Sequence, residues 1–133
     1  MNTRAKGRRI EKEVEDFLKN NGYSTYRAKM LRYGQKDIFG LFDIVALKYD
    51  QRGNPFGVFL DRAPLVVFVQ VKSNISDYYK ACDEVRKFYR EFVAYRTDDV
   101  GFAVFLRKEK GRYRVFMMLG NYERTWHNVG DKK

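Results

Sequence analysis

An uninterrupted apolar run at residues 65–69 leads directly into Gln70, Val71 and Lys72. Its β-branched and aromatic residues predict a buried strand. Side chains alternate across a strand, so Gln70 and Lys72 emerge on the same face, in line with Phe68. Burying an amide or an ammonium without a partner costs several kcal/mol. The polar pair at the end of this core strand therefore requires a partner.

Asp43 is the candidate partner, because it stands near the start of a second apolar run at residues 42–47. On the alternative interpretation, Lys72 stands where the strand reaches water and Asp43 caps a turn. The residue pattern alone leaves both interpretations open. Asp61 is a competing acid that lies closer to Gln70 along the chain, and Asp43 is preferred because it is embedded in the apolar strand.

Two amphipathic helices are predicted from apolar residues that recur at helical spacing. The first follows a basic segment at residues 1–9 and ends at residues 20–22, and its stripe is Ile10, Val14, Phe17 and Leu18. The second begins at an N-cap at Ser76 or Asp77 and continues to about Ala94. Its stripe consists of Tyr78, Cys82, Val85, Phe88 or Tyr89, and Phe92.

Glu11 lies on the first helix, beside the apolar stripe and one turn before Glu15. An acid in this position is most often a surface residue that is solvated or paired with Lys12 or Lys19. Its position alone therefore favours a structural interpretation over a functional one.

Shorter patterns complete a single domain over residues 1–133. Residues 23–27 predict a short strand, and residues 100–106 and 113–119 predict a hairpin with its turn at residues 108–111. The connector at residues 48–63 contains turn chemistry at residues 50–55. Residues 120–133 show no periodicity and predict an irregular surface tail, on which Trp126 is the candidate for docking. The order of helix, strands, helix and strands predicts an α/β or α+β architecture.

The charge of +10 at pH 7 and the pI near 9.7 predict a polyanionic partner, of which nucleic acid is the commonest. An anionic membrane surface and ribosomal packing are the alternatives. No apolar segment is long enough to span a bilayer, and the first residues lack the apolar core of a signal peptide. Cys82 is the single cysteine, which excludes an internal disulfide and favours a reducing, cytoplasmic compartment.

One histidine and one cysteine exclude a classical zinc site, so any catalytic metal would be held by oxygen ligands. If Glu11, Asp43 and Gln70 converge, their two carboxylates and amide oxygen suit Mg²⁺ or Mn²⁺. Such a metal can activate a water and neutralise charge in phosphodiester hydrolysis. Lys72 would then hold the attacking water and stabilise the anionic phosphorus centre.

Four short elements follow one another along the chain: Lys6-Gly7-x-x-x-Glu11, Gly22-Tyr23-x-x-x-Arg27, Asp43-Ile44-Val45-Ala46 and Gln70-Val71-Lys72. Together they resemble the archaeal-type Holliday junction resolvases of the PD-(D/E)XK nuclease superfamily. The resemblance covers residues 4–119, and no single element is specific. It implies a restriction-endonuclease-like fold, in which helices flank a central mixed β-sheet. It also implies homodimers that set two active sites on opposite strands of a branched DNA junction.

The resemblance implies roles for individual residues. Glu11, Asp43 and Gln70 would be metal ligands together with the carbonyl of Val71, and Lys72 would be the catalytic lysine. The residues implied or predicted to bind DNA are basic: Arg4, Lys6, Arg8 and Arg9 of the N-terminal segment, Arg27 near the scissile phosphate, and Lys29, Arg32 and Lys36 of the loop before Asp43. That loop could equally be only solvated.

Two departures from the family pattern affect the functional expectation. Gln70 replaces the usual acid, which weakens the expected metal affinity, and the segments before and after Asp43 are longer than in the compact resolvases. The expected activity is a Mg²⁺- or Mn²⁺-dependent endonuclease on branched DNA. The alternatives are a repair- or restriction-type nuclease on nicked, flapped or duplex DNA, and a non-catalytic basic nucleic-acid-binding protein.

Overall fold

Two helices and six strands follow one another in the computed structural model, which describes residues 3–28, 38–49, 54–56 and 62–130. The elements are α1 (Thr3–Asn20), β1 (Ser24–Arg27), β2 (Ile44–Leu47), β3 (Val66–Lys72), α2 (Ile75–Phe92), β4 (Val100–Glu109), β5 (Arg112–Leu119) and β6 (Tyr122–Val129). Side chains of α1 are described from residue 7 onward.

The six strands form one mixed sheet in the order β1-β2-β3-β4-β5-β6. Only β3 and β4 pair in parallel, because α2 carries the chain back from the end of β3 to the start of β4. The other neighbours pair antiparallel. The predicted α/β architecture with a mixed sheet and flanking helices is confirmed, and the apolar run before Gln70 is one of its two central strands.

The sheet has two apolar faces, each covered by one helix. On one face, Val14 and Leu18 of α1 pack in the same cluster as Val67 and Val69 of β3. On the other face, Tyr78 and Val85 of α2 share a cluster with sheet residues. Because side chains alternate along β3, Phe68 belongs to the α2 face, and Gln70 and Lys72 follow it there.

Helix boundaries differ from the prediction at three points. α1 extends back to Thr3, so the segment predicted as a basic lead-in to the helix is itself largely helical. The N-cap of α2 is Asn74, whose side chain accepts a hydrogen bond from the backbone N–H of Asp77 at 2.9 Å. The Ser76 or Asp77 cap was therefore wrong by two or three residues. Tyr89, rather than Phe88, is the fully buried residue of the α2 stripe, and α2 ends at Phe92.

The prediction of an irregular tail at residues 120–133 was wrong for the part that the structure describes, because β6 lies there and pairs with β5. β6 is the edge strand, and most of its side chains face solvent, so it lacks the alternation that identifies a half-buried strand. Trp126 is buried, as expected, with its ring centroid 5.4 Å from that of Phe56. Phe56 comes from the connector at residues 48–63, which thus contributes to the core.

Candidate active site at the end of the central strand

Asp43 is fixed to the end of β3 by two hydrogen bonds. Its backbone N–H donates to the carbonyl of Val69 at 2.8 Å, and its Oδ2 accepts from the backbone N–H of Val71 at 2.9 Å. Ile44 pairs with Val69 in the sheet, so the antiparallel register continues Asp43 opposite Gln70. The carboxylate therefore holds the last residues of β3 where β2 no longer pairs with them.

Gln70 is a buried polar residue, with only 7% of its surface exposed. Its Oε1 is buried and accepts no hydrogen bond from any residue that the structure describes. A buried polar atom without a partner costs about 1–3 kcal/mol, and native structures contain few of them. A hard cation or a donor group on a substrate would satisfy this acceptor oxygen.

Val71 and Lys72 complete the strand end. The N–H and C=O of one strand residue point to the same strand edge, so the carbonyl of Val71 is expected on the side of Asp43. Lys72 is partly buried, and it is the last residue of β3. Strand alternation places its side chain on the same face as that of Gln70.

Glu11 and Arg27 approach the same strand end from the α1 side. Arg27 ends β1 opposite Ile44, and the backbone N–H of Ala28 donates to the carbonyl of Asp43 at 2.8 Å. One guanidinium nitrogen of Arg27 lies 3.9 Å from a carboxylate oxygen of Glu11. The structural interpretation named Lys12 or Lys19 as the partner of Glu11, but Lys12 forms an ion pair with Asp16 instead.

The predicted site residues are therefore brought together to different degrees. Asp43, Gln70, Val71 and Lys72 share the end of β3 and its neighbour. Glu11 belongs to the helix on the opposite face from the Gln70 side chain, and it contacts Arg27 at this end of the sheet. The assignment of these residues as metal ligands and catalytic groups stays a prediction.

Glu15 is a residue that the sequence interpretation passed over. Only 9% of its surface is exposed, its Oε1 lies 3.2 Å from Nε of Arg27, and its Oε2 accepts a hydrogen bond from the Thr25 hydroxyl at 2.7 Å. Glu15 thereby fixes the side chain of Arg27 beside Glu11. The acid was visible in the sequence, but its partners lie ten and twelve residues away on β1, which helical spacing alone does not reveal.

We expect Glu15→Gln to lower the free energy of unfolding by about 1–3 kcal/mol, because the half-buried guanidinium of Arg27 loses its closest counter-charge. Urea denaturation at neutral pH measures this. The matched control is Asp16→Asn on the same helix, which removes an exposed ion pair and should cost less than about 0.5 kcal/mol. Equal losses in the two variants would show that the Glu15–Arg27 pair contributes nothing beyond a surface contact.

The predicted DNA-binding residues lie only partly in the described region. Arg8 and Arg9 are exposed on α1, and the carbonyl of Arg8 accepts a hydrogen bond from Arg27 at 3.4 Å. Lys29, Arg32 and Lys36 lie outside the described residues, as do the side chains of Arg4 and Lys6 and the competing acid Asp61. Their predicted roles stay predictions.

Other metal and thiol chemistry finds little support in the described residues. No three His, Cys, Asp or Glu side chains gather there as a metal-binding group; the candidate set contains two carboxylates and one amide. Burial raises the pKa of the Cys82 thiol to about 11, so this cysteine stays protonated at neutral pH. Neither described helix is long and apolar enough to cross a membrane.

Comparison with protein-family models, curated proteins and solved structures finds no significant match to this chain.

Proposed function

We propose that this protein is a metal-dependent endonuclease of branched DNA. Its proposed active site is the end of β3, with Gln70 and Lys72 on β3 and Asp43 on the neighbouring segment. The observation that carries the proposal is the unpartnered, buried Oε1 of Gln70, in a strand whose next residue, Val71, donates its backbone N–H to the carboxylate of Asp43. A purely structural glutamine in that position would be expected to find a hydrogen-bond donor. The resemblance to the resolvases supplies the reaction class.

The donor set fits a hard divalent cation. Asp43 contributes a carboxylate, and Gln70 contributes a neutral amide oxygen that accepts no hydrogen bond from the described residues. The resemblance would add the carbonyl of Val71 and Glu11 to an all-oxygen set, which suits Mg²⁺ or Mn²⁺. Glu11 lies on the opposite face from the Gln70 side chain and would have to exchange its contact with Arg27 for the ion. When bound, the ion would supply Lewis-acid polarisation of a phosphoryl oxygen and a lowered pKa for a bound water.

The protein's own side chains would do the rest of the work. The ammonium of Lys72, on the face of Gln70, would orient the attacking water and stabilise negative charge on the phosphate. Arg27, fixed by Glu15, would hold the scissile phosphate at the α1 side of the site. The Asp43–Val71 hydrogen bond would keep the carboxylate in position without substrate, so that little reorganisation is needed on binding.

In this proposal the fold is of the restriction-endonuclease-like type, and the working unit is a homodimer that presents two such sites to opposite strands of a four-way junction. The short strands β1 and β2 lie next to β3 in the sheet, and α1 and α2 cover opposite faces of it. Both features are consistent with that fold. The charge of +10 favours a DNA partner.

A second candidate is a non-catalytic DNA-binding protein. Gln70 occupies the position where the family pattern has an acid, and the described partner of Glu11 is a cation, Arg27. Both features are compatible with a site that binds a phosphate without cutting it. On that alternative Lys72 and Arg27 contact the DNA backbone, and no divalent ion is required.

Cleavage mapping tests the proposal directly. The wild-type protein is incubated with Mg²⁺ or Mn²⁺ and an end-labelled four-way junction that has no mobile core, beside a linear duplex and a nicked duplex of the same sequence. Paired nicks at symmetric positions of the junction alone are expected for a resolvase. Cleavage of nicked or linear duplex would identify a repair- or restriction-type nuclease, and no cleavage of any substrate would contradict the nuclease proposal.

A further inference from the structure

The β4–β5 hairpin extends beyond the candidate site. Lys72, the last residue of β3, pairs with Leu106 of β4, but β4 continues to Glu109 and β5 begins at Arg112. Because β3 and β4 are parallel, both run toward the same end of the sheet. The tip of the hairpin therefore lies beyond Lys72 on the side of the sheet where the candidate site lies.

This hairpin tip, residues 107–114, is strongly basic. Five of its residues are cationic and one, Glu109, is acidic: the cations are Arg107, Lys108, Lys110, Arg112 and Arg114. Arg107, Lys108 and Lys110 are exposed, and none of these three makes an ion pair with a residue that the structure describes. At the base of the tip, Arg114 donates a hydrogen bond to the Tyr79 hydroxyl of α2 at 3.1 Å.

The tip closes in a two-residue turn that follows an irregularity in β4. Lys110 and Gly111 both have positive φ, 55° and 80°, as a tight two-residue hairpin turn requires. A register shift between Leu106 and Glu109 leaves one more residue on β4 than on β5, and such bulges re-aim side chains near functional sites. Lysine is a poor residue for the left-handed region, where asparagine or glycine is preferred. The tip thus presents its cations from a short turn.

At the opposite end of the sheet, the described charges include both signs. There, Asp98 and Asp99 precede β4, and Asp99 lies 3.4 Å from Arg62. Acids accompany the cations at that end, whereas the hairpin tip carries five cations and one acid. The exposed Arg107, Lys108 and Lys110 complement the phosphate backbone of a double helix, which carries one negative charge per about 1.7 Å of its axis.

We propose that the hairpin tip binds the phosphate backbone of a duplex arm next to the bond that is cut, and so forms a second DNA contact beside the α1 segment. The position of the cut rests on the proposed function, whereas the phosphate contact does not. The contact positions the duplex without reading its sequence, because phosphate oxygens are the same for every base pair. The tip would therefore strengthen binding to every sequence alike.

The test compares two triple variants that lose the same positive charge. The tip variant is Arg107→Gln, Lys108→Gln and Lys110→Asn, in which asparagine suits the left-handed position. The control variant is Lys19→Gln, Lys87→Gln and Arg90→Gln, whose exposed residues lie in the later halves of α1 and α2, away from the site. Dissociation constants for a fluorescent duplex and a four-way junction are measured by anisotropy across a series of salt concentrations, without divalent ions.

The tip variant is expected to bind both DNAs about 10- to 100-fold more weakly near physiological salt, and its log–log salt slope should fall by about 2–3. The control variant should change the slope by less than about 0.5 on the same scale. Equal losses in the two variants would overturn the proposal, because they would reflect net charge alone. It would also be overturned if the tip variant kept its DNA affinity and lost only binding to phosphatidylserine vesicles.

Cleavage assays separate this proposal from the nuclease proposal. If the wild type binds DNA through the tip but never cuts it, the phosphate contact stands and the nuclease proposal fails. If the wild type cuts junctions and the tip variant binds and cuts like the control variant, the nuclease proposal stands and the tip proposal fails.

Discussion

Lys72→Ala and Asp43→Asn are each expected to lower the rate of junction cleavage by at least about a hundredfold, while the affinity for the junction changes by less than about threefold. Lys72 would act on the attacking water and the developing charge, so its loss removes an interaction that is strongest in the transition state. Asp43→Asn removes a charged ligand but keeps an oxygen that can accept the hydrogen bond from Val71.

The experiment is single-turnover cleavage with Mg²⁺ or Mn²⁺ and saturating protein, with junction binding measured separately in Ca²⁺. Lys80→Ala is the matched control, because Lys80 is an exposed lysine on α2 that is not among the predicted site residues. Thermal unfolding of all three variants confirms that they fold. Wild-type cleavage by both Lys72→Ala and Asp43→Asn would end the assignment of this strand end as the active site.

Gln70→Glu is expected to lower the Mn²⁺ concentration required for half-maximal stabilisation by about 10- to 100-fold. The substitution adds a charged oxygen ligand where a neutral amide now stands, and ligand charge strengthens the binding of hard cations. Without metal, the same variant should lose about 1–3 kcal/mol of unfolding free energy, because a carboxylate replaces a neutral amide at a buried position.

Thermal and urea unfolding in EDTA and across a Mn²⁺ titration measure both effects, since a ligand that binds only the folded state raises its stability. Gln70→Leu is the control of similar shape without the oxygen. It should show little stabilisation by Mn²⁺ and should be near wild-type stability in EDTA, because an unpartnered buried acceptor is removed. If Mn²⁺ stabilises all three proteins equally, Gln70 is not a metal ligand.

Much of this arrangement follows from local patterns in the sequence. Strand β3 could be predicted because its apolar run is β-branched and aromatic. The alternation of side chains along a strand then predicts that Gln70 and Lys72 lie on one face. α1, α2 and the β4–β5 hairpin followed from helical spacing and from a glycine turn. These signals lie within a few residues of one another, so they can be recognised from the sequence alone.

The remainder depends on contacts between distant segments. The burial of Glu15 comes from Thr25 and Arg27, which the chain brings back on β1, and no pattern on α1 indicates it. β6 pairs with β5 through backbone hydrogen bonds, and most of its side chains are exposed to solvent. Its sequence therefore resembles that of a loop. The hydrogen bond of Asp43 to the backbone of Val71 depends on the register of β2 against β3, which the sequence leaves open.

Strand β3 lies between two short strands and three long ones, and this difference has a consequence for local stability. β4, β5 and β6 form a meander of long strands whose contacts are close in sequence, whereas β1 and β2 are four-residue strands at the other side of β3. Short strands at the border of a sheet open at lower free-energy cost than long central ones. Amide exchange should therefore be faster along β1 and β2 than along β3, β4 and β5, so that local opening of β1 and β2 releases Asp43 from Val71 while the central strands keep their protected amides.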